Sequence, residues 1–142
     1  MLDSQFKNLI EEITQRDSRY PKEAYDFLRD SLDVAQSLVH ENDDERIKHV
    51  DASQLLEGVR VHAIERYGPM AGFILNEWGI FTSMDIGNLV FNLIEIGLFS
   101  KKESDSIEDF ENGFSFFDAF IKPYTPSIKS KALKNQKKQH TA

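Results

Sequence analysis

Asn88 and Asn92 stand four residues apart with Phe91 between them, so on a helix the three reach toward one side. An Asn amide can pair with N6 and N7 of adenine, which makes base reading the first chemistry to weigh. Base contacts of that kind need cations on the phosphates, because those supply most of the affinity. No Lys or Arg occurs between Arg66 and Lys101. Without anchors, Asn88, Phe91 and Asn92 read better as a surface for another protein.

The remaining reactive side chains form no catalytic pattern. His40, His49, His62 and His140 include no pair at i, i+4, so the metalloprotease spacing is absent. His62 with Glu65 and Arg66 reads as a small polar surface cluster, and with His49 it would supply any pocket of an enzyme without a known motif. The acidic runs 41–45 and 103–111 lack the alternating acids, central Gly and closing Glu of a calcium loop. Ser106 with Asp109 has instead the spacing of a local helix cap. There is no Gly-rich phosphate loop, no Gly-x-Ser-x-Gly elbow and no cysteine, which removes disulfides, thiolate metal sites and a Cys nucleophile. No catalytic residue, metal site or cofactor follows from these patterns.

The elements that would position such residues are mostly helical. Phe6, Leu9, Ile10 and Ile13 form one stripe of a helix over 5–15. Pro21 opens a second helix that runs to about His40, with Ala24, Phe27, Leu28, Leu32, Ala35, Leu38 and Val39 inward. Residues 47–50 read as a short strand. Asp51 with Gln54 is a capping box for helix 52–67, and Gly68 is its terminator. Pro69 starts helix 69–78, with Met70, Phe73, Ile74 and Trp78 on one face. Thr82 with Asp85 caps helix 83–96, which Gly97 ends. Leu98 to Lys101 and the alternating Phe114 and Phe116 then read as two strands around an Asn112-Gly113 turn, and Asp118 to Ile121 as a last helical turn.

That order predicts an α+β fold, mainly α: a winged-helix-like core over about 49–117, a short C-terminal hairpin, and two N-terminal helices packed onto it. Residues 1–121 form a single domain. Residues 122–142 carry six Lys and no acid, a charge of +6 against −13 for the rest, and predict a Lys-rich disordered tail. A body that acidic repels nucleic-acid phosphates. Phe110, Phe114, Phe116, Phe117, Phe120 and Tyr124 crowd one short stretch, either sealing the core or docking a partner. No apolar run approaches the roughly 20 residues of a membrane span, and Met1 to Lys7 lacks a secretory signal's basic and apolar regions, so a cytoplasmic protein is expected.

Several segments together resemble a small family of uncharacterised bacterial proteins of about 140 residues. They are Leu55-Leu56-Glu57-Gly58-Val59-Arg60, Tyr67-Gly68-Pro69-Met70-Ala71, Glu77-Trp78-Gly79-Ile80, Asn88 through Glu95, Ser106 with Asp109-Phe110, and Asp118-Ala119-Phe120 before Lys122-Pro123. The resemblance spans about Pro21 to Pro123 and implies a free-standing bacterial cytosolic protein. It implies no activity, cofactor or site. This chain has Ser115 and Phe117 where that family carries acids. The function expected is a non-enzymatic protein-interaction or structural module, its partner another protein or a second copy of itself. Its contact residues would be Asn88, Phe91, Asn92, Phe114, Phe117 and Phe120. The alternatives are a winged-helix DNA-binding regulator and an enzyme of unrecognised type.

Overall fold

The structure is a computed structural model that describes residues 2–39, 50–100 and 105–125. Five α-helices account for most of these: α1 (Leu2–Arg16), α2 (Lys22–Val39), α3 (Ala52–Tyr67), α4 (Ala71–Glu77) and α5 (Ser83–Glu95). A 3₁₀ turn, Gly68–Met70, joins α3 to α4. The C-terminal part is a 3₁₀ turn at Ile107–Phe110, a π-helical turn at Phe117–Ile121 and a 3₁₀ turn at Lys122–Tyr124.

The helix boundaries follow the capping chemistry. Asp51 Oδ1 accepts from the Gln54 amide while Gln54 Oε1 accepts from the Asp51 amide, each at 2.8 Å, which closes both halves of a capping box. Asp85 Oδ2 reaches back to the amides of Phe81 and Thr82 at 2.8 and 3.1 Å. Asp109 does the same for the Ser106 amide at 3.0 Å. Gly68, Gly79 and Gly97 all have positive φ, between 52° and 82°, where the helices stop.

The core sits where α2 and α3 cross, closed from the sides by α1, α4 and α5. Phe6, Ile10 and Ile13 of α1 are buried, as are Phe27 and Leu28 of α2, Leu55, Leu56 and Val59 of α3, and Ile86, Leu89 and Leu93 of α5. Gly58 lets the α2–α3 crossing close. A Cβ there would stand 2.6 Å from the Ala35 Cβ and 2.9 Å from its Cα, too near for either helix to tolerate. Phe27 stacks on His62 at 4.7 Å and meets the Trp78 ring at 5.5 Å, which carries the aromatic packing across to the end of α4.

The α+β, winged-helix expectation is corrected. No strand exists among the described residues, so there is no C-terminal hairpin and no wing. After Gly97 the amides of Leu98 and Phe99 turn back onto the Leu93 carbonyl at 2.9 and 3.2 Å, spending the donors a strand would need. Asn112, with φ 53°, does form a turn, but the Gly113 amide donates to Ser83 Oγ at 2.9 Å, tying the turn to the start of α5. Phe114 and Phe116 alternate only over three residues before the chain coils, and both lean on Phe120, with ring centroids 5.5 and 5.1 Å away. Of the expected strand 47–50, residues 47–49 lie outside the described residues and Val50 adopts no regular structure. The tail beyond Thr125 and the charged loop at 41–48 also lie outside them.

The face of α4 is corrected too. Ala71, Gly72 and Leu75 point inward, while Met70 and Phe73 are exposed. Trp78, of the same expected face, does pack on the core, and Gly72 admits the π-helical turn, with Ile121 Cγ1 3.4 Å from where its Cβ would be.

Candidate functional site

α5 carries two contrasting faces. On one, Asn88 and Asn92 are half-buried rather than free. Asn88 Nδ2 donates to the Tyr20 hydroxyl at 3.0 Å, and that hydroxyl donates to Asp85 Oδ1 at 2.6 Å. Asn92 Nδ2 donates to Asp17 Oδ2 at 3.0 Å and to the Tyr25 hydroxyl at 2.9 Å. Arg19 completes the set, its guanidinium 2.7 Å from Asp17 Oδ2. The Arg19 hydrogen bonds hold the Asp17 carboxyl far below the usual carboxylate range. Burial raises the Tyr20 and Tyr25 phenols above theirs. The two Asn amides therefore fasten α5 to the α1–α2 turn, Asn92 with both of its N–H donors and Asn88 with one. This face is closed.

The adjoining face of α5 is open. Val90, Phe91 and Ile94, continued by Leu98 and Phe99, form one wall of a groove of about 410 Å³. Leu32 of α2 and Leu55 of α3 form the other wall, and Phe110 lies at the base. Gly87 allows that base to form, because Phe110 Cβ sits 2.8 Å from where a Gly87 Cβ would be. Phe91 meets Phe110 edge to face with centroids 6.5 Å apart. The rim is polar: Asp51, Ser106 and Asp109 stand at the mouths of the two capped segments, with Gln36, Ser100 and Asp105 around them. No Lys, Arg or His is among the described lining residues.

A cavity of this size, apolar within and edged by a few fixed polar groups, has the form of a binding site. Its electrostatics select the occupant. Three carboxylates around an apolar floor, with no cation among the described lining residues, favour a ligand that joins a hydrocarbon surface to positive charge. At the rim the Ser106 hydroxyl donates to the Glu108 carboxylate within the cap of the 3₁₀ turn.

His62, read from the sequence as a surface residue, is buried. Its Nδ1 lies 2.8 Å from Ser31 Oγ, and burial lowers its proton affinity. A Ser–His pair invites a catalytic reading, but Ser31 is fully buried and its hydroxyl does not face solvent. The pair satisfies two polar groups inside the core. Glu65 and Arg66 are exposed on the same helix, His49 lies outside the described residues, and no cluster of three metal-binding side chains occurs among the described residues.

The six contact residues expected from the sequence thus divide. Phe91 lines the groove. Asn88 and Asn92 belong to the closed face. Phe120 is buried, Phe114 is half-buried, and Phe117 is exposed on a separate surface. The groove residues missed were Asp51, Leu98, Phe99, Asp109 and Phe110. Two of these carried a signal, since Asp51 and Asp109 belong to capping boxes, whose segment ends converge on α5. Leu98 and Phe99 carried another, as two apolar residues just past a helix-ending Gly.

No helix of the described residues is long and apolar enough to cross a membrane. The chain matches no protein-family model, no curated protein and no solved structure. The reading of function rests on geometry alone.

Proposed function

We propose that the chain is a non-enzymatic protein-interaction module whose contact site is the α5 groove, and that it receives a partner segment carrying an apolar side chain flanked by Lys or Arg. The observation that carries this reading is the apolar groove of about 410 Å³ edged by Asp51 and Asp109, with no cation among the described lining residues. Apolar anchors seated in a pocket supply most of the energy of such contacts, and rim charges set partner choice and rate. A cytoplasmic site of action belongs to the same reading and is supported by the cysteine-free composition.

The test uses a fluorescent synthetic peptide that alternates Leu and Lys, measured by anisotropy against a Leu–Glu peptide of the same length. The Leu–Lys peptide should bind at micromolar concentration, about tenfold weaker or worse with Phe91→Ser or Leu98→Ser. Equal binding of both peptides, or binding that ignores the groove substitutions, refutes the reading.

A further inference from the structure

A second apolar surface lies away from the groove, where α4 meets the C-terminal turns. Met70 and Phe73 are three residues apart at the start of α4, and Phe117, Ile121 and Tyr124 follow at four- and three-residue steps along the π-helical and 3₁₀ turns. The two stripes are neighbours, because Ile121 packs over Gly72, the residue before Phe73. All five side chains are exposed, at 36% to 59% of their full area. Beneath them Phe116 and Phe120 are engaged with one another and with Gly72, so the inner layer already completes the core. Among the described residues nothing covers the outer five.

We infer that this surface is the interface of a symmetric dimer, its occupant a second copy of the same chain. Two observations favour a copy over other occupants. The first is area. Five side chains of roughly 200 Å² each, about half exposed, offer on the order of 500 Å² per copy, so two copies bury about 1,000 Å², at the lower bound for a specific interface. The second is charge. Asp118 and Lys122, both exposed, lie one turn apart among Phe117 and Ile121. A two-fold axis sets residue i of one copy against residue j of the other and the reverse, so an Asp118–Lys122 pair across it occurs twice in the dimer. The surface is complementary to itself. The dimer leaves both grooves free, and it stands or falls separately from the proposed groove function.

The experiment is sedimentation equilibrium on the full chain from about 1 to 200 µM, the range in which an interface of this size dissociates. The wild type should pass from monomer to dimer with Kd on the order of 10 µM. Phe73→Ser with Ile121→Ser should stay monomeric throughout while keeping the wild-type circular dichroism and melting temperature. Met70→Ser with Phe117→Ser provides a second pair should the first disturb folding. Lys122→Glu alone should weaken the dimer about tenfold, and adding Asp118→Lys should restore it. A wild type monomeric across the range overturns the inference. So does a dimer indifferent to both apolar pairs in folded protein, or a charge exchange without recovery. A monomer that instead co-sediments with phosphatidylserine vesicles, and loses this with Phe73→Ser, also overturns it and assigns the surface to a membrane.

Discussion

The two faces of α5 differ in what their side chains still have to give. Asn88 and Asn92 are the residue types one would choose for recognition, yet three of their four amide donors are spent on Tyr20, Tyr25 and Asp17 within the chain. Phe91, Ile94 and their neighbours are ordinary core residues by type, yet they face a groove that the described residues leave open. Polar residues on a helix advertise function only if their hydrogen bonds are unmade. An apolar wall advertises it when nothing packs against it. Closure, more than residue chemistry, separates the scaffold from the site.

The comparison can be broken from either side. The largest effect belongs to the closed face. Replacing Asn88 and Asn92 together by Leu removes three hydrogen bonds and leaves two buried hydroxyls and a carboxylate short of donors. We expect a loss of about 3 kcal/mol in urea unfolding, with any peptide binding at the groove intact in the folded fraction. A loss below about 0.5 kcal/mol would show that the network does not hold α5 to the α1–α2 turn.

Gly87→Ala comes next. Its Cβ would press on Phe110 at 2.8 Å, so the base of the groove must shift. About 2 kcal/mol should be lost, with changed binding as well, since this position belongs to both structure and site. Phe91→Ala should invert the first result. A half-buried ring on an open groove costs about 1 kcal/mol in stability yet removes most of the binding.

The smallest effect is a pH dependence. Burial keeps His62 neutral below its ordinary value of 6.5, so the unfolded chain takes up a proton that the folded chain refuses. Stability from this group is therefore full above pH 6.5 and declines as pH falls through it. Asp17 acts lower on the scale. Its carboxyl is held ionised by Arg19, so its contribution is present above the ordinary carboxylate value of 3.8 and is lost as pH drops further. His62→Gln should flatten the upper part of the stability curve and leave the Asp17 part unchanged. A wild-type curve that is flat from pH 7 to 5 would contradict the burial of His62.

Much of the fold was legible in the sequence, because local rules decide it. Asp51 with Gln54 and Ser106 with Asp109 marked their segment starts, and Gly68, Gly79 and Gly97 marked the stops. What failed was the reading of short apolar stretches. Leu98-Phe99 and Phe114-Ser115-Phe116 fit a strand over two or three residues, but strand pairing is a long-range event that three residues do not specify. Met70 and Phe73 matched a buried helical face by spacing, and only the contact between Gly72 and Ile121 shows that the buried side lies elsewhere. The site was half legible. Phe91 was visible as a large apolar residue on α5, whereas the partners of Asn92 are Asp17 and Tyr25, 75 and 67 residues away. No spacing rule reaches that far.

The most direct test of the groove as the contact site is chemical-shift mapping of the isotope-labelled full chain during titration with the Leu–Lys peptide. Shifts should gather at Asp51, Leu55, Phe91, Ile94, Leu98 and Ser106, while the Asn88 and Asn92 side-chain amides stay in place. Shifts concentrated on those two amides, or spread evenly over the acidic surface, would contradict it.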